Sequence, residues 1–148
     1  MSDDYPDALV SESDAPEAES PAPKKKRRSS TSPTVRTLAE CRKRGWIAEV
    51  AERFVRFPPP GHRIDLFGCI DIIALTDNGT LGIQACPGST HAAHRTKILE
   101  EPRANEWLAR NNRLELWSWA KQGARGKRKR WTLRVETYAE MVAAQESA

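Results

Sequence analysis

The stretch "DIIALTDNGTLGIQAC", Asp71 to Cys86, decides how this chain is read. Two apolar, β-branched runs flank Asp77-Asn78-Gly79, the signal of a tight hairpin. With Asn78 and Gly79 as a two-residue turn, Asp77 faces Thr80, Asp71 faces Cys86 and Ile73 faces Gln84. Strand residues two apart share a face, so Asp71, Gln84 and Cys86 project from one side. Asp71 and Gln84 are then diagonal neighbours, roughly 7–8 Å apart at Cα. A carboxylate is disfavoured in so apolar a strand. Burying it is costly unless it is paired or metal-bound. Asp71 therefore reads as a functional acid, against the plainer reading of a structural hydrogen bond.

The surrounding chain bounds what this hairpin belongs to. Its 148 residues suggest one domain plus a tail. Residues 1–33 are rich in Ser, Pro, Asp, Glu and Ala and poor in large apolar residues, a composition expected to be disordered. The first 22 residues carry seven acids and no Lys or Arg, and Lys24 to Arg28 are five bases in a row. The stretch "PKKKRRSS", Pro23 to Ser30, resembles a monopartite nuclear localisation signal. It reads equally as a solvated basic linker. From residue 34 onward there are 19 Lys and Arg against 13 Asp and Glu. A basic domain behind an acidic tail points to a polyanionic partner, most simply nucleic acid. Apolar stretches are short and interrupted, so no membrane span is expected. Cys41, Cys69 and Cys86 are odd in number and show no CxxC spacing, which fits free thiols in a reducing compartment.

The element pattern runs outward from the hairpin. Ser32 and Pro33 open a helix in which Val35, Leu38, Ala39 and Arg42 share a face, and Gly45 stops it. Trp46 to Val55 reads as one strand, and "PPPGH" at Pro58 to His62 breaks the chain. After the hairpin, "HAAHRTKILEE" is helical until Pro102, and "PRANEWLARN" continues or restarts the helix. "RLELWSWAK" and "RWTLRVETY" alternate as strands, and the C-terminal tail is a short helix. The Trp117, Trp119 and Trp131 side chains, at strand spacing, read as core before they read as base-stacking groups. Between the last two strands, Lys121 to Arg130 holds six bases and no acid: Lys121, Arg125, Lys127, Arg128, Lys129 and Arg130. A basic hairpin loop of this kind suits phosphate contacts.

An opening helix, strands bearing "D…QxC", then a helix and a further strand resemble the PD-(D/E)XK nuclease superfamily. The longer pattern, "DLFGCIDIIAL" from Asp65 to Leu75 and "LGIQAC" from Leu81 to Cys86, is similar to uncharacterised phage- or plasmid-associated nuclease-like proteins. The resemblance covers residues 34–138. It implies an α/β fold with a restriction-endonuclease-like mixed sheet, in the order α-β-β-β-α-β, flanked by helices. It implies metal-dependent endonuclease cleavage of DNA phosphodiester bonds with Mg²⁺ or Mn²⁺. Asp71 matches the motif Asp and Gln84 the motif Glu or Gln. Glu40 or Glu49 matches the additional acid of some members, with Glu49 favoured by its strand setting. Asp65 is a further ligand or a loop cap. Cys86 stands where lysine is expected, so the positive charge must come from elsewhere, with Lys97 the first choice, Arg95 the second, and His62 another candidate base. The expected assignment is catalytic Asp71, Gln84 and Lys97, and metal-binding Asp71, Glu49 and Asp65. Oxygen donors of this kind suit hard cations.

Two other functions stand beside this one. The first is a DNA-binding module on the same fold without catalysis. The second is a zinc-stabilised interaction protein using Cys69, Cys86, His91 and His94. A homodimer is compatible with the resemblance. The expected location is the cytoplasm, in association with DNA, or the nucleus in a eukaryotic host.

Overall fold

The computed structural model describes residues 31–148 and Ala22. The expected disordered tail and the basic run at Pro23 to Ser30 therefore lie essentially outside the described residues. The fold is α/β, with a mixed five-stranded sheet flanked by helices. Helix α1 (Pro33–Lys43) is followed by β1 (Ile47–Val50), β2 (Arg53–Val55), β3 (His62–Ile64), β4 (Ile72–Thr76) and β5 (Gly79–Pro87). After a short 3₁₀ turn come α2 (His91–Glu100), α3 (Pro102–Ala109), β6 (Arg113–Gln122), β7 (Arg130–Thr137) and α4 (Tyr138–Glu146). The main sheet has the order β1-β4-β5-β6-β7, and β2 and β3 form a separate antiparallel ribbon. All pairings in the main sheet are antiparallel except β5 with β6, which the α2–α3 crossover makes parallel.

Local chemistry sets the ends of the elements. The Ser32 hydroxyl accepts a hydrogen bond from the Val35 N–H, and Pro33 occupies the first turn of α1. Glu101 caps α3, again ahead of a proline, and Thr137 with Glu140 forms a capping box on α4.

Strand β5 is covered on both faces. Leu81, Ile83 and Ala85 pack with Ile72, Ala74 and Trp117 under α1. On the other side Cys86 packs with Cys69, Ile70, Leu114 and Leu116 under Ile98 of α2, Ala104 of α3 and Met141 of α4. Trp117 is fully buried, as its strand spacing suggested, Trp119 is half-buried and donates its indole N–H to the Thr37 hydroxyl at 3.0 Å, and Trp131 is exposed, against the core reading. The Trp119–Thr37 bond turns α1 from its expected face. Thr37 and Cys41 are buried, whereas Val35 and Arg42 are exposed. Of the expected face only Leu38 packs against the core, beside the polar Thr37 and the small thiol of Cys41.

The β4–β5 turn sits one residue earlier than expected, which moves the cross-strand pairing by two. Thr76 pairs with Gly79, leaving Asp77 and Asn78 as the loop. A two-residue Asn-Gly turn of the expected kind needs positive φ at Asn78. Among the described non-glycine residues, only Phe67 and Asn111 have positive φ, and the left-handed position falls on Gly79 at φ +99°. The Thr76 hydroxyl accepts from the Asn78 N–H and donates to the Gly79 carbonyl, fixing the tighter turn. Because the pairing moves by two, side-chain parity survives, and Asp71 comes level with Gln84 instead of Cys86.

Gly79→Ala is expected to cost about 1 kcal/mol, the penalty of a left-handed Cβ, and Gly79→Asn less, because its short amide tolerates that conformation. Urea denaturation measures both; equal costs would contradict the assigned turn.

Candidate metal centre

Asp71 stands at the entrance to β4, where three segments meet. Its N–H donates to the Ile83 carbonyl, and its own carbonyl accepts from the Ala51 N–H at 2.7 Å, with a longer bond from Glu52. These bonds end β1 and turn the chain out of the sheet. The expected single strand from Trp46 to Val55 is accordingly broken between Val50 and Arg53. The Asp71 side chain is 5 % exposed. Its Oδ2 accepts two hydrogen bonds, from Gln84 Nε2 at 2.6 Å and from the Ala85 N–H at 2.9 Å.

Three carboxylates converge here. Glu52, Asp65 and Asp71 each present an oxygen within 4.8 Å of the others, an arrangement that can hold a metal ion. Asp71 is buried and the other two are half-buried. Burial pushes the Asp71 carboxyl up to about 8, and its hydrogen bond with Asp65 and the Asp65 charge push in the same direction. The Ala85 N–H pulls it down and the Glu52 charge raises it further. Asp65 moves the other way. Burial favours its neutral form but is outweighed by the hydrogen bond from Asp71 and by the bond and charge of Lys97. The two shifts run in opposite directions, holding Asp71 toward its neutral form and Asp65 toward its ionised form. Two carboxyls this close cannot both ionise cheaply. A cation in place of the Asp71 proton would relieve both, and an all-oxygen donor set fits a hard divalent ion.

The other expected residues divide into those the fold brings here and those it does not. Lys97 of α2 reaches the cluster, its Nζ paired with Asp65 Oδ2. Gln84, 2 % exposed, has its Nε2 on Asp71 while Oε1 is buried without a protein partner. Glu49 does not belong to the cluster. It lies exposed on β1 opposite Ile73, and Glu52, three residues later, takes the position foreseen for it. The break after β1 is the cause, because Glu52 has left the sheet to follow the chain toward Asp65. Glu40 is held by Arg44 on α1. His62 is exposed on β3. Arg95 pairs with Glu136.

Cys86 is 1 % exposed in the core beside Cys69, and burial pushes its thiol up to about 11. It is an uncharged packing residue. The four-residue zinc set is also dismantled. His91 is buried with Nδ1 on the Ser118 hydroxyl at 2.7 Å and Nε2 on Glu136 at 2.5 Å, so neither nitrogen is free to bind a metal. His94, one turn before Lys97 on the same side of α2, is a feature that spacing alone does not assign to this site. Burial first, and Lys97 second, push its imidazole down, and its Nδ1 is buried without a protein partner.

The six bases from Lys121 to Arg130 are all exposed at the β6–β7 connection. Asp71 leads into β4, which is antiparallel to β5, while β5 and β6 run on together to the pair Pro87 and Trp119. The basic hairpin thus extends from the same end of the sheet as the acid cluster. Among the described residues, no helix is long and apolar enough to cross a membrane. Comparisons with protein-family models, curated proteins and solved structures return no match.

The raised Asp71 carboxyl has a consequence for stability. Asp71 titrates near about 4 in an unfolded chain and at about 8 in the fold. The folded state binds the extra proton between those values, so this group's stabilising contribution is full below about pH 4 and is lost as pH rises to about 8. Asp71→Asn keeps an acceptor for Gln84 and Ala85 and a donor for Asp65. In metal-free protein it is expected to raise the melting temperature over wild type, by an increment that grows from pH 5 to pH 8 and then levels. A thermal-melt series across that range checks this; a flat difference would contradict the raised Asp71.

Proposed function

We propose that this protein is a metal-dependent nuclease that cleaves DNA phosphodiester bonds, built on a restriction-endonuclease-like core of the PD-(D/E)XK type. The observation that carries the reading is the Glu52–Asp65–Asp71 cluster with Lys97 on its rim. The order of α1, then β1, β4 and β5, then α2 and α3, then β6 parallel to β5 supports it, with the β2–β3 ribbon as an insertion.

Glu52, Asp65 and Asp71 would hold Mg²⁺ or Mn²⁺. The ion would supply charge to polarise the scissile phosphate and acidify a water. The chain's own residues do the rest. Gln84 and the Ala85 N–H fix the rotamer of Asp71. Asp65 holds Lys97, whose ammonium supplies from α2 the positive charge that Cys86 cannot supply from β5. Such a charge favours a transition state in which negative charge accumulates on phosphoryl oxygens. The Lys121 to Arg130 hairpin contacts the phosphate backbone and sets the substrate's position without reading its sequence. The protein would act in association with DNA, in the cytoplasm or, in a eukaryotic host, the nucleus.

A second reading is a DNA-binding module on this fold that does not cleave. It is favoured by the neutral Cys86 and by an amide, Gln84, at the second motif position.

Purified protein is expected to nick or cut DNA with Mg²⁺ or Mn²⁺ and not with EDTA. Glu52→Gln, Asp65→Asn, Asp71→Asn and Lys97→Met are each expected to lower the rate about 100-fold or more, the order seen when a group stabilising a charged transition state is lost. Glu49→Gln and Cys86→Ser are expected to stay close to wild type. Shifts in gel mobility that persist in a protein unable to cut any duplex, single-stranded or branched DNA would establish the second reading.

A further inference from the structure

Between Glu52 and Asp65 lies an uninterrupted segment, "RFVRFPPPGHRI", Arg53 to Ile64, with three arginines, a histidine and no acid. It folds as the β2–β3 ribbon, separate from the main sheet. Arg53 pairs with Ile64, Phe54 with Arg63 and Val55 with His62. Continuing that register by one step makes Glu52 and Asp65 the next pair, so two of the three clustered acids form the root of the ribbon. Opposed residues share a face and positions two apart repeat it. Phe54 and Arg63 therefore continue the side on which Glu52 and Asp65 sit, and Arg63 is ion-paired to Glu52.

The ribbon spends its apolar residues in the wrong place for a structural element. Phe54 is 61 % and Phe57 76 % exposed, and Arg53, Arg56 and Arg63 are exposed as well. The Phe54 ring is nevertheless held. It lies against Gly61, where a Cβ would meet ring carbon Cζ at 2.5 Å, and Gly61 has φ +87°. A ribbon of two short strands is marginal by itself, and this contact and the Arg63–Glu52 pair tie it down.

From this we infer that the β2–β3 ribbon is a strand-engaging arm: it takes an unpaired stretch of nucleic acid, stacks bases on Phe54 and Phe57, pairs phosphates with Arg53 and Arg56, and leads the backbone to the acid cluster. The inference rests on the nuclease reading above and adds to it the form of the substrate. Exposed aromatic rings accept any base face but only when the base is unstacked, and interleaved arginines track the backbone. A second copy of this chain is a poor occupant, since two acid-free arms with three arginines each repel.

The test measures anisotropy of a labelled single strand of about 20 nucleotides, and of a blunt duplex of the same sequence, in EDTA so that nothing is cut. Phe54→Ala/Phe57→Ala is expected to weaken single-strand binding about tenfold or more and duplex binding less than about twofold, the duplex serving as the control for any loosening of the ribbon. Phe57→Ala alone, which leaves the Gly61 contact intact, is expected to show part of the loss, and Phe57→Trp to retain affinity. An equal loss on both DNAs, no loss, or loss instead of self-association or of binding to phosphatidylserine vesicles would overturn the arm. Cleavage is scored separately. A wild type that cuts DNA while the double variant binds single strands undiminished defeats the arm alone. A wild type that never cuts defeats the nuclease reading, and the binding ratio still decides the arm.

Discussion

The structure turns on a carboxyl group taken out of water. Asp71 sits where β1 ends, β4 begins and β5 passes alongside, and its backbone bonds to Ile83 and Ala51 join these three segments. A bare carboxylate there would cost several kcal/mol. The fold offsets that cost with two donors on Oδ2 and by favouring the neutral form of Asp71 beside Asp65. The same arrangement draws Glu52 out of the sheet and positions Asp65 at the far side of an inserted ribbon. Stability and candidate chemistry are therefore in opposition. Protonated Asp71 suits the metal-free fold, and ionised Asp71 suits a cation.

Charge around the site follows the same logic of substitution. The strand position after Gln84 on this face belongs to Cys86, which the core has claimed beside Cys69 and Ile98. Lys97, on the helix that packs over that face, brings a positive charge to Asp65 instead. Further along the sheet, His91, Ser118, Glu136 and Arg95 satisfy one another and tie the start of α2 to β6 and β7. That network keeps α2, and with it Lys97 and His94, at a fixed height over the acids.

Much of this was legible in the sequence, for identifiable reasons. The parity that places Asp71, Gln84 and Cys86 on one face depends only on the strand period of two, so it survived a pairing that moved by two. Ser32, Pro33, Glu101 and Thr137 act locally, and the helices they start are where their chemistry puts them. Glu52 was not legible, because its place depends on the β1 break, which is made by long-range bonds from Ala51 and Glu52 to Asp71. A strand reading of Trp46 to Val55 selects Glu49, which stays in register on an exposed edge. The face of α1 was legible only at Leu38, for a related reason: Thr37 is buried through a partner 82 residues away, Trp119. The run of bases and exposed phenylalanines between Glu52 and Asp65 was visible as composition, but its meaning needs the ribbon that brings its two ends together.

The most direct test asks whether a divalent ion bound at Glu52, Asp65 and Asp71 displaces the proton that burial favours on Asp71. Calorimetric titration of metal-free protein with Mn²⁺ at pH 7, repeated in buffers of different ionisation enthalpy, counts the protons released. Ligands that must deprotonate give up their protons on binding, so release of about one proton per ion is the predicted result, absent in Asp71→Asn and kept in Glu49→Gln. Binding without proton release, or no binding by the wild type, would contradict the account.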